Sequence, residues 1–206
     1  MTTLSREQKI KEAGNPATVL RNCQAGGYVF PIAPEFSNWR DEQEAWRKTA
    51  ILFDQSYHMT DLYVQGPDTV RLLSDLGVNS FQGFKRDKAK QFVACNHDGY
   101  VIGDGVLFAL EDDKVVLVGR PPISNWVHFN AVTGGYNVKV ERDERSLANP
   151  MQRKLYRFEV QGPNAWKILE KVHGGPIPDI KFFAMGEINI AGRKVRCLKH
   201  GMSGAP

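Results

Sequence analysis

Val64-Gln65-Gly66-Pro67-Asp68 and Val160-Gln161-Gly162-Pro163-Asn164 are two versions of one pentapeptide, 96 residues apart. The offset persists downstream. Val70, Leu72, Leu73 and Leu76 align with Trp166, Ile168, Leu169 and Val172, and Arg71 aligns with Lys167. A β-prone stretch leads into each copy, Leu62 to Gln65 in the first and Tyr156 to Gln161 in the second. Gly-Pro then breaks the strand. Proline suits the first turn of a helix, where its missing N–H costs nothing. The apolar residues beyond fall at i, i+2, i+3 and i+6, which one helical face can collect. The pattern predicts two strand–helix units, related by duplication and lying against sheets. A chance match of a common strand-to-helix turn is the alternative.

Between the copies the pattern is mostly that of strands. Lys90 to Cys95 and Tyr100 to Leu110 flank His97-Asp98-Gly99, and Asp-Gly between β-prone runs signals a hairpin. Lys114 to Val118 is a short β-branched run, and Pro121-Pro122 opens a helix carrying Ile123, Trp126, Val127 and Ala131. Tyr136 to Val140 alternates as a strand should. Near the end, Glu187 to Ile190 and Lys194 to Leu198 flank Ala191-Gly192-Arg193, a second hairpin. Upstream of the first copy, Ser37 or Asn38 caps a helix with Asp41 and Glu42 in its first turn and Arg47 and Lys48 in its last, as the helix dipole favours. Trp39 and Trp46 share a face of it and are expected to anchor a core. The fold class is α+β, with mixed or antiparallel sheets and packed helices. Three segments are expected: 1–50, an N-terminal helical part with a site-lining strand; 51–150, a first α/β unit; and 151–206, a second.

Composition sets outer bounds. The 206 residues include 42% apolar and 24% charged side chains, ordinary for a globular protein, with a net charge of +4. Basic residues are scattered, without a stripe of interleaved aromatics, which disfavours nucleic-acid binding. The alternating charges from Lys139 to Arg145 predict a solvated strand end and loop. Cys23, Cys95 and Cys197 are far apart and form no CxxC pair, so neither a disulfide framework nor a zinc site is expected, and a reducing cytoplasm fits best. The N-terminus lacks the apolar core of a secretory signal, and no apolar run approaches the ~20 residues of a membrane span.

Four places concentrate polar chemistry. Asp54-Gln55-Ser56-Tyr57-His58-Met59 packs six functional groups between two strand-like runs. Such density suits a loop lining a site, or a turn whose Asp and Ser satisfy backbone donors. Gly119-Arg120-Pro121-Pro122 puts an arginine between a strand end and a helix start, where its planar fork can grip a carboxylate or simply face solvent. Gly103-Asp104-Gly105 interrupts a strand and marks a bulge or a close backbone approach. Gly26-Gly27-Tyr28 precedes an aromatic strand, as a plain loop or a place where a flat ligand lies. No dinucleotide, P-loop, zincin or nucleophile-elbow motif is present.

At these residues the chain resembles a known family. Leu52-Phe53-Asp54-Gln55-Ser56-Tyr57-His58-Met59 followed by Gly66-Pro67-Asp68 is similar to the opening of the glycine-cleavage T-protein (aminomethyltransferase) superfamily. The second Val160-Gln161-Gly162-Pro163 matches that family's second segment, and His200-Gly201-Met202-Ser203-Gly204 stands at its "GYTGE" turn. Ala33 to Trp39, Val101 to Gly105, Gly119-Arg120, Thr133 to Val138 and His200-Gly201-Met202 look like one branch, the tetrahydrofolate-dependent O-demethylases of lignin-derived vanillate, syringate or 3-O-methylgallate. Proteins of that branch are about twice this length, so the chain is expected to be an N-terminal part, inactive alone.

The resemblance implies tetrahydrofolate and a methoxylated aromatic acid as small-molecule partners, with no lipoyl carrier. It implies that Arg120 holds the substrate carboxylate, that Tyr28, Gln55 and His58 line the aromatic and phenol side, and that Met59, Asp104 and Met202 lie at the cofactor. The branch's tyrosine proton donor is expected beyond residue 206. Departures from the aminomethyltransferases point the same way: glycine stands at their catalytic aspartate (position 103), Gly119-Arg120 replaces their folate asparagine, and Met202 and Ala205 replace the tyrosine and glutamate of "GYTGE". An aminomethyltransferase of glycine cleavage, a non-enzymatic folate-binding module of the kind that assists iron–sulfur assembly, and a basic binding module remain as alternatives.

Overall fold

The computed structural model describes residues 5–12, 14–15, 17, 36–145 and 152–201. Its elements in order are α1 (Arg6–Glu12), α2 (Trp39–Lys48), β1 (Ile51–Asp54), β2 (Thr60–Gln65), α3 (Thr69–Leu76), β3 (Ala89–Cys95), β4 (Val101–Glu111), β5 (Lys114–Gly119), α4 (Pro121–Thr133), β6 (Lys139–Asp143), β7 (Phe158–Gln161), α5 (Ala165–His173), β8 (Met185–Ile190) and β9 (Arg193–Leu198). A five-stranded sheet of order β3-β4-β5-β2-β6 carries the fold, β1 pairs with β7, and β8 with β9. Every one of these pairings is antiparallel. The expected α+β class holds.

The two pentapeptides fold alike. Gly66 has φ 146° and Gly162 has φ 125°, both left-handed values that favour glycine. The residues after the prolines, Asp68 (φ −94°, ψ 10°) and Asn164 (φ −103°, ψ 4°), share one backbone conformation and start α3 and α5. A Cβ on Gly66 would strike the Asn137 carbonyl oxygen and lie 2.9 Å from Val138 Cα; one on Gly162 would lie 2.7 Å from the Thr49 oxygen and 2.9 Å from Ala50 Cα. The glycine is therefore required twice over, by conformation and by close approach. The proline sits in the turn before the cap rather than in the first helical turn, a shift within the ordinary uncertainty of helix ends.

One face of the sheet packs against α3 and α4. Leu62 and Val64 of β2, Leu107 of β4, Leu117 of β5 and Phe92 of β3 are fully buried with Leu72, Leu73, Ile123 and Val127. Each such side chain contributes roughly 1.5–3 kcal/mol of transfer free energy. The glycines of β4 and β5 serve this packing: a Cβ on Gly119 would lie 2.7 Å from Ile123 Cγ2, and one on Gly103 3.2 Å from Ile123 Cβ. Close approach accounts for the glycines, and the β3–β4 register also shifts beside Gly103, where Ala94 pairs with Gly103 but Cys95 with Val101. The hairpin turns are as expected: Gly99 has φ 84°, while Ala191 (φ 50°) and Gly192 (φ 77°) give the primed turn that two-residue hairpins prefer.

Three expectations fail. Trp39 is 54% exposed, with the Arg40 guanidinium 4.2 Å over its ring, and only Trp46 is half-buried. The strand after α4 starts at Lys139, not Tyr136, because Tyr136 instead packs under Arg71 and donates to Asp75 Oδ2 at 2.8 Å. The charged run from Lys139 forms an edge strand as far as Asp143, and Asp143 is buried, not solvated. The second copy's helix also departs from the first. Trp166, Ile168 and Val172 of α5 are 39–44% exposed, whereas Leu72 and Leu73 of α3 are fully buried.

Candidate functional site

Register brings the polar stretches to one end of the sheet. Thr60 opens β2 opposite Gly119, the last residue of β5, and Gly119 lies opposite Gly105 of β4. Met59, Arg120 and Asp104 are each one residue beyond this row. Asp104 is exposed and accepts from Gln91 Nε2 at 3.2 Å. Arg120 is the N-cap of α4, extended at φ −73°, ψ 159°, with Pro121 and Pro122 behind it and its side chain exposed. Strand chemistry ends there because proline cannot donate to the ladder.

The loop 55–59 divides its labour. Asp54 Oδ1 accepts the Ser56 N–H at 2.9 Å, and Ser56 Oγ accepts the Arg157 N–H at 3.0 Å, so these two side chains satisfy backbone, as a turn would have them. Tyr57 is buried and meets Tyr156 edge-on at 6.2 Å. His58 and Met59 are half-buried. His58 Nδ1 lies 3.2 Å from the Gln55 carbonyl oxygen. Its imidazole is held below the usual histidine range, first by burial and then by the positive charge of Arg157, with Arg120 adding in the same sense and Asp61 opposing. The neutral ring is thereby favoured near pH 7.

Gln55 turns the other way. Its Nε2 donates to Glu159 Oε2 of β7. Burial raises the Glu159 carboxyl above the ordinary glutamate range, against the pull of His200 and the Gln55 amide. His200 thus approaches the loop from the C-terminal side, and Phe183 packs edge-on against its ring at 5.2 Å. The structure brings His58, Met59, Asp104 and Arg120 to one sheet end and turns Gln55 toward β7. Tyr28 and Met202 lie outside the described residues.

Beneath the loop is a buried charge cluster that pattern reading missed. Asp61 is fully buried; Arg157 Nη1 donates to both its carboxylate oxygens, at 2.9 and 2.8 Å, and Arg153 Nη2 stands 3.3 Å away. Arg153 also donates to the carbonyl oxygens of Asp143 (3.1 Å) and Met59 (3.2 Å). Asp61, Arg153 and Asp143 are each within one-tenth of full burial. The available signal was an acidic residue, Asp61, directly before the apolar run Leu62-Tyr63-Val64. Nothing in sequence spacing named its partners.

Comparison with known proteins supplies the context. A family model described as GCVT N-terminal domain matches residues 22–205. A syringate O-demethylase of Sphingobium sp. (strain NBRC 103272 / SYK-6) is 50% identical over 204 residues, 98% of this chain and 44% of that protein. An aminomethyltransferase of Lysinibacillus sphaericus (strain C3-41) is 29% identical over 87% of this chain and 47% of its own length. The crystal structure of the glycine cleavage system aminomethyltransferase T from Bartonella henselae superposes with a TM-score of 0.62 at 22% identity, covering 80% of this chain and 42% of that one, a likeness of fold. The chain therefore spans just under half the length of the relatives it matches.

Proposed function

The chain belongs to the family of GCVT N-terminal domains, and on that premise we propose that the protein transfers a methyl group from a methoxybenzoate of the syringate or vanillate kind to tetrahydrofolate. The observation that carries this reading is the 50% identity to a syringate O-demethylase across 98% of the chain, against 29% to an aminomethyltransferase. The departures at Gly103, Gly119-Arg120 and Met202 support it. Aminomethyl transfer is the second reading, supported by the lower identity to an aminomethyltransferase and by the shared fold.

Asp104 and the sheet face beyond it fit part of the cofactor. Asp104, Val106 and Phe108 alternate along β4 with the core-facing Gly105, Leu107 and Ala109, and Val106 and Phe108 are half-buried. An exposed carboxylate beside an apolar strip matches a flat heterocycle with N–H donors along one edge. Met59 would pack on the same group. Tetrahydrofolate, when bound, supplies the nitrogen that accepts the methyl group.

The chain's own residues do the positioning. The Arg120 guanidinium takes the benzoate carboxylate, which fixes the ring's in-plane direction. His58, neutral and half-buried, gives its Nδ1–H to the Gln55 carbonyl oxygen and so presents Nε2 as an acceptor to the substrate's phenol hydroxyl, which orients the ring beside the departing oxygen. The C–O bond breaks with its electron pair on oxygen, so in-line alignment and a donor at that oxygen are the protein's contributions. Both partners are small molecules, no lipoyl carrier is required, and the reducing cytoplasm is the proposed compartment.

The test is Arg120→Ala in the full-length protein. Binding of vanillate should weaken ~10- to 100-fold, the value of a charge-assisted pair (about 1.5–3 kcal/mol), while binding of guaiacol, which lacks the carboxylate, should barely change. Equal losses for both ligands would remove Arg120 from this role.

A further inference from the structure

Asp61 and Arg157 are 96 residues apart, the same offset that separates the two pentapeptides. Each lies three residues before the first valine of its copy. Equivalent positions of the two units are thus joined by a two-bond carboxylate–guanidinium contact, at 2.9 and 2.8 Å.

The contact closes a bracket around the loop 55–59. At the loop's entry, the Gln55 N–H donates to the Arg157 carbonyl oxygen at 2.9 Å, and Ser56 and Arg157 exchange bonds through the serine hydroxyl, at 3.0 and 3.3 Å. These bonds carry the β1–β7 ladder one step past its last pair, Asp54 with Phe158. At the loop's exit, Arg153 Nη2 donates to the Met59 carbonyl oxygen. Asp61, two residues further on, takes both guanidinium groups. One backbone segment, 152–157, therefore holds both ends of the loop, and its two arginines meet on one fully buried carboxylate. Both bonds from Arg157 leave the same nitrogen, Nη1, so the contact is a charge-assisted pair of a guanidinium with a buried carboxylate, and such pairs are about twice as strong as neutral hydrogen bonds.

We propose that Arg157 is a positioning residue: paired with Asp61, it locks the 55–59 loop so that His58 and Met59 face the sheet end that carries Arg120 and Asp104. The functional meaning of that loop rests on the methyl-transfer reading, while the bracket itself is a property of the fold. The charged groups facing His58 are Arg157 of the bracket, Asp61 of β2 and Arg120 at the end of β5. Withdrawing Arg157 removes a positive neighbour and leaves a negative one, and both changes favour the protonated ring.

The experiment uses Arg157→Met and Arg157→Lys in the full-length protein, with amide hydrogen exchange and the His58 imidazole titration followed by NMR. For Arg157→Met the amides of 55–59 should exchange at least ~10-fold faster while those of the β3–β4 hairpin keep their protection, and the His58 midpoint should rise. Arg157→Lys should loosen the loop with a smaller rise in the midpoint. Unchanged loop protection and an unchanged His58 midpoint would overturn the proposal, as would an equal loss of protection in the loop and the hairpin. If Arg157→Met does not fold, Arg157→Lys is judged by the same loop-against-hairpin criterion. Neither readout requires turnover, so a protein that demethylates nothing would refute the functional reading and leave the bracket to stand or fall alone.

Discussion

Gly162→Ala tests the physical basis of the repeated pentapeptide. At φ 125° an added methyl group meets backbone strain of about 1–2 kcal/mol. It also lies 2.7 Å from the Thr49 oxygen, 2.9 Å from Ala50 Cα and 3.0 Å from the Trp46 oxygen. All three are backbone atoms, so the end of α2 and the start of β1 must move away from β7. Overpacking of this kind costs about 1–3 kcal/mol. The two contributions together give about 3 kcal/mol, or roughly 6–12 °C in Tm for a chain of this size. Gly174→Ala, at the other end of α5, is the internal control. Its φ is 90°, and a Cβ there meets nothing within 4 Å, so only the left-handed backbone strain of about 1–2 kcal/mol applies. Urea denaturation of the two variants should separate them by about 2 kcal/mol. Equal losses, or a Gly162→Ala loss under about 1 kcal/mol, would show that the glycine is not held by close approach.

Two further outcomes follow from buried groups. Burial first, and then the neighbouring carboxylates Asp61 and Asp143, push the Tyr63 phenol up to about 12, and its buried hydroxyl has no hydrogen-bond partner among the described residues. Tyr63→Phe should therefore be neutral or stabilise by up to about 1 kcal/mol, because removing an unsatisfied hydroxyl relieves a desolvation cost; a clear loss in denaturation would reveal a partner. The depressed His58 value makes the unfolded chain bind a proton that the folded chain lacks. Stability from this source is full above about pH 6.5 and is lost as pH falls below it. His58→Gln should flatten that decline between pH 7.5 and 5.5, and a wild-type-minus-variant difference independent of pH would contradict the assignment.

The frame of the fold was open to sequence because its signals are local. Glycine required by both conformation and contact at positions 66 and 162, Asn38 accepting the Arg40 and Asp41 N–H groups, and Pro121-Pro122 after Arg120 each act within a few residues. Long-range pairing was not open in that way. Nothing near Lys139 to Arg145 announces that Asp143 is buried beside Arg153, since alternating charges also describe a solvated loop. Trp39 shares a helical face with Trp46 by spacing, yet only tertiary packing decides which is covered. Within the candidate site, Arg120 and His58 stood out by residue type, and register alone brought them together. Asp61, Arg153, Arg157 and Glu159 were invisible for the same reason: their meaning lies in contacts across ~10 to 100 residues.

Methyl transfer itself is the most direct test. The full-length protein, given tetrahydrofolate and syringate or vanillate carrying a 13C-labelled methoxyl group, should yield labelled 5-methyltetrahydrofolate and the free phenol in equal amounts. Label that stays on the aromatic ring, together with turnover of an aminomethyl-lipoyl carrier, would contradict the account and assign the chain to aminomethyl transfer instead.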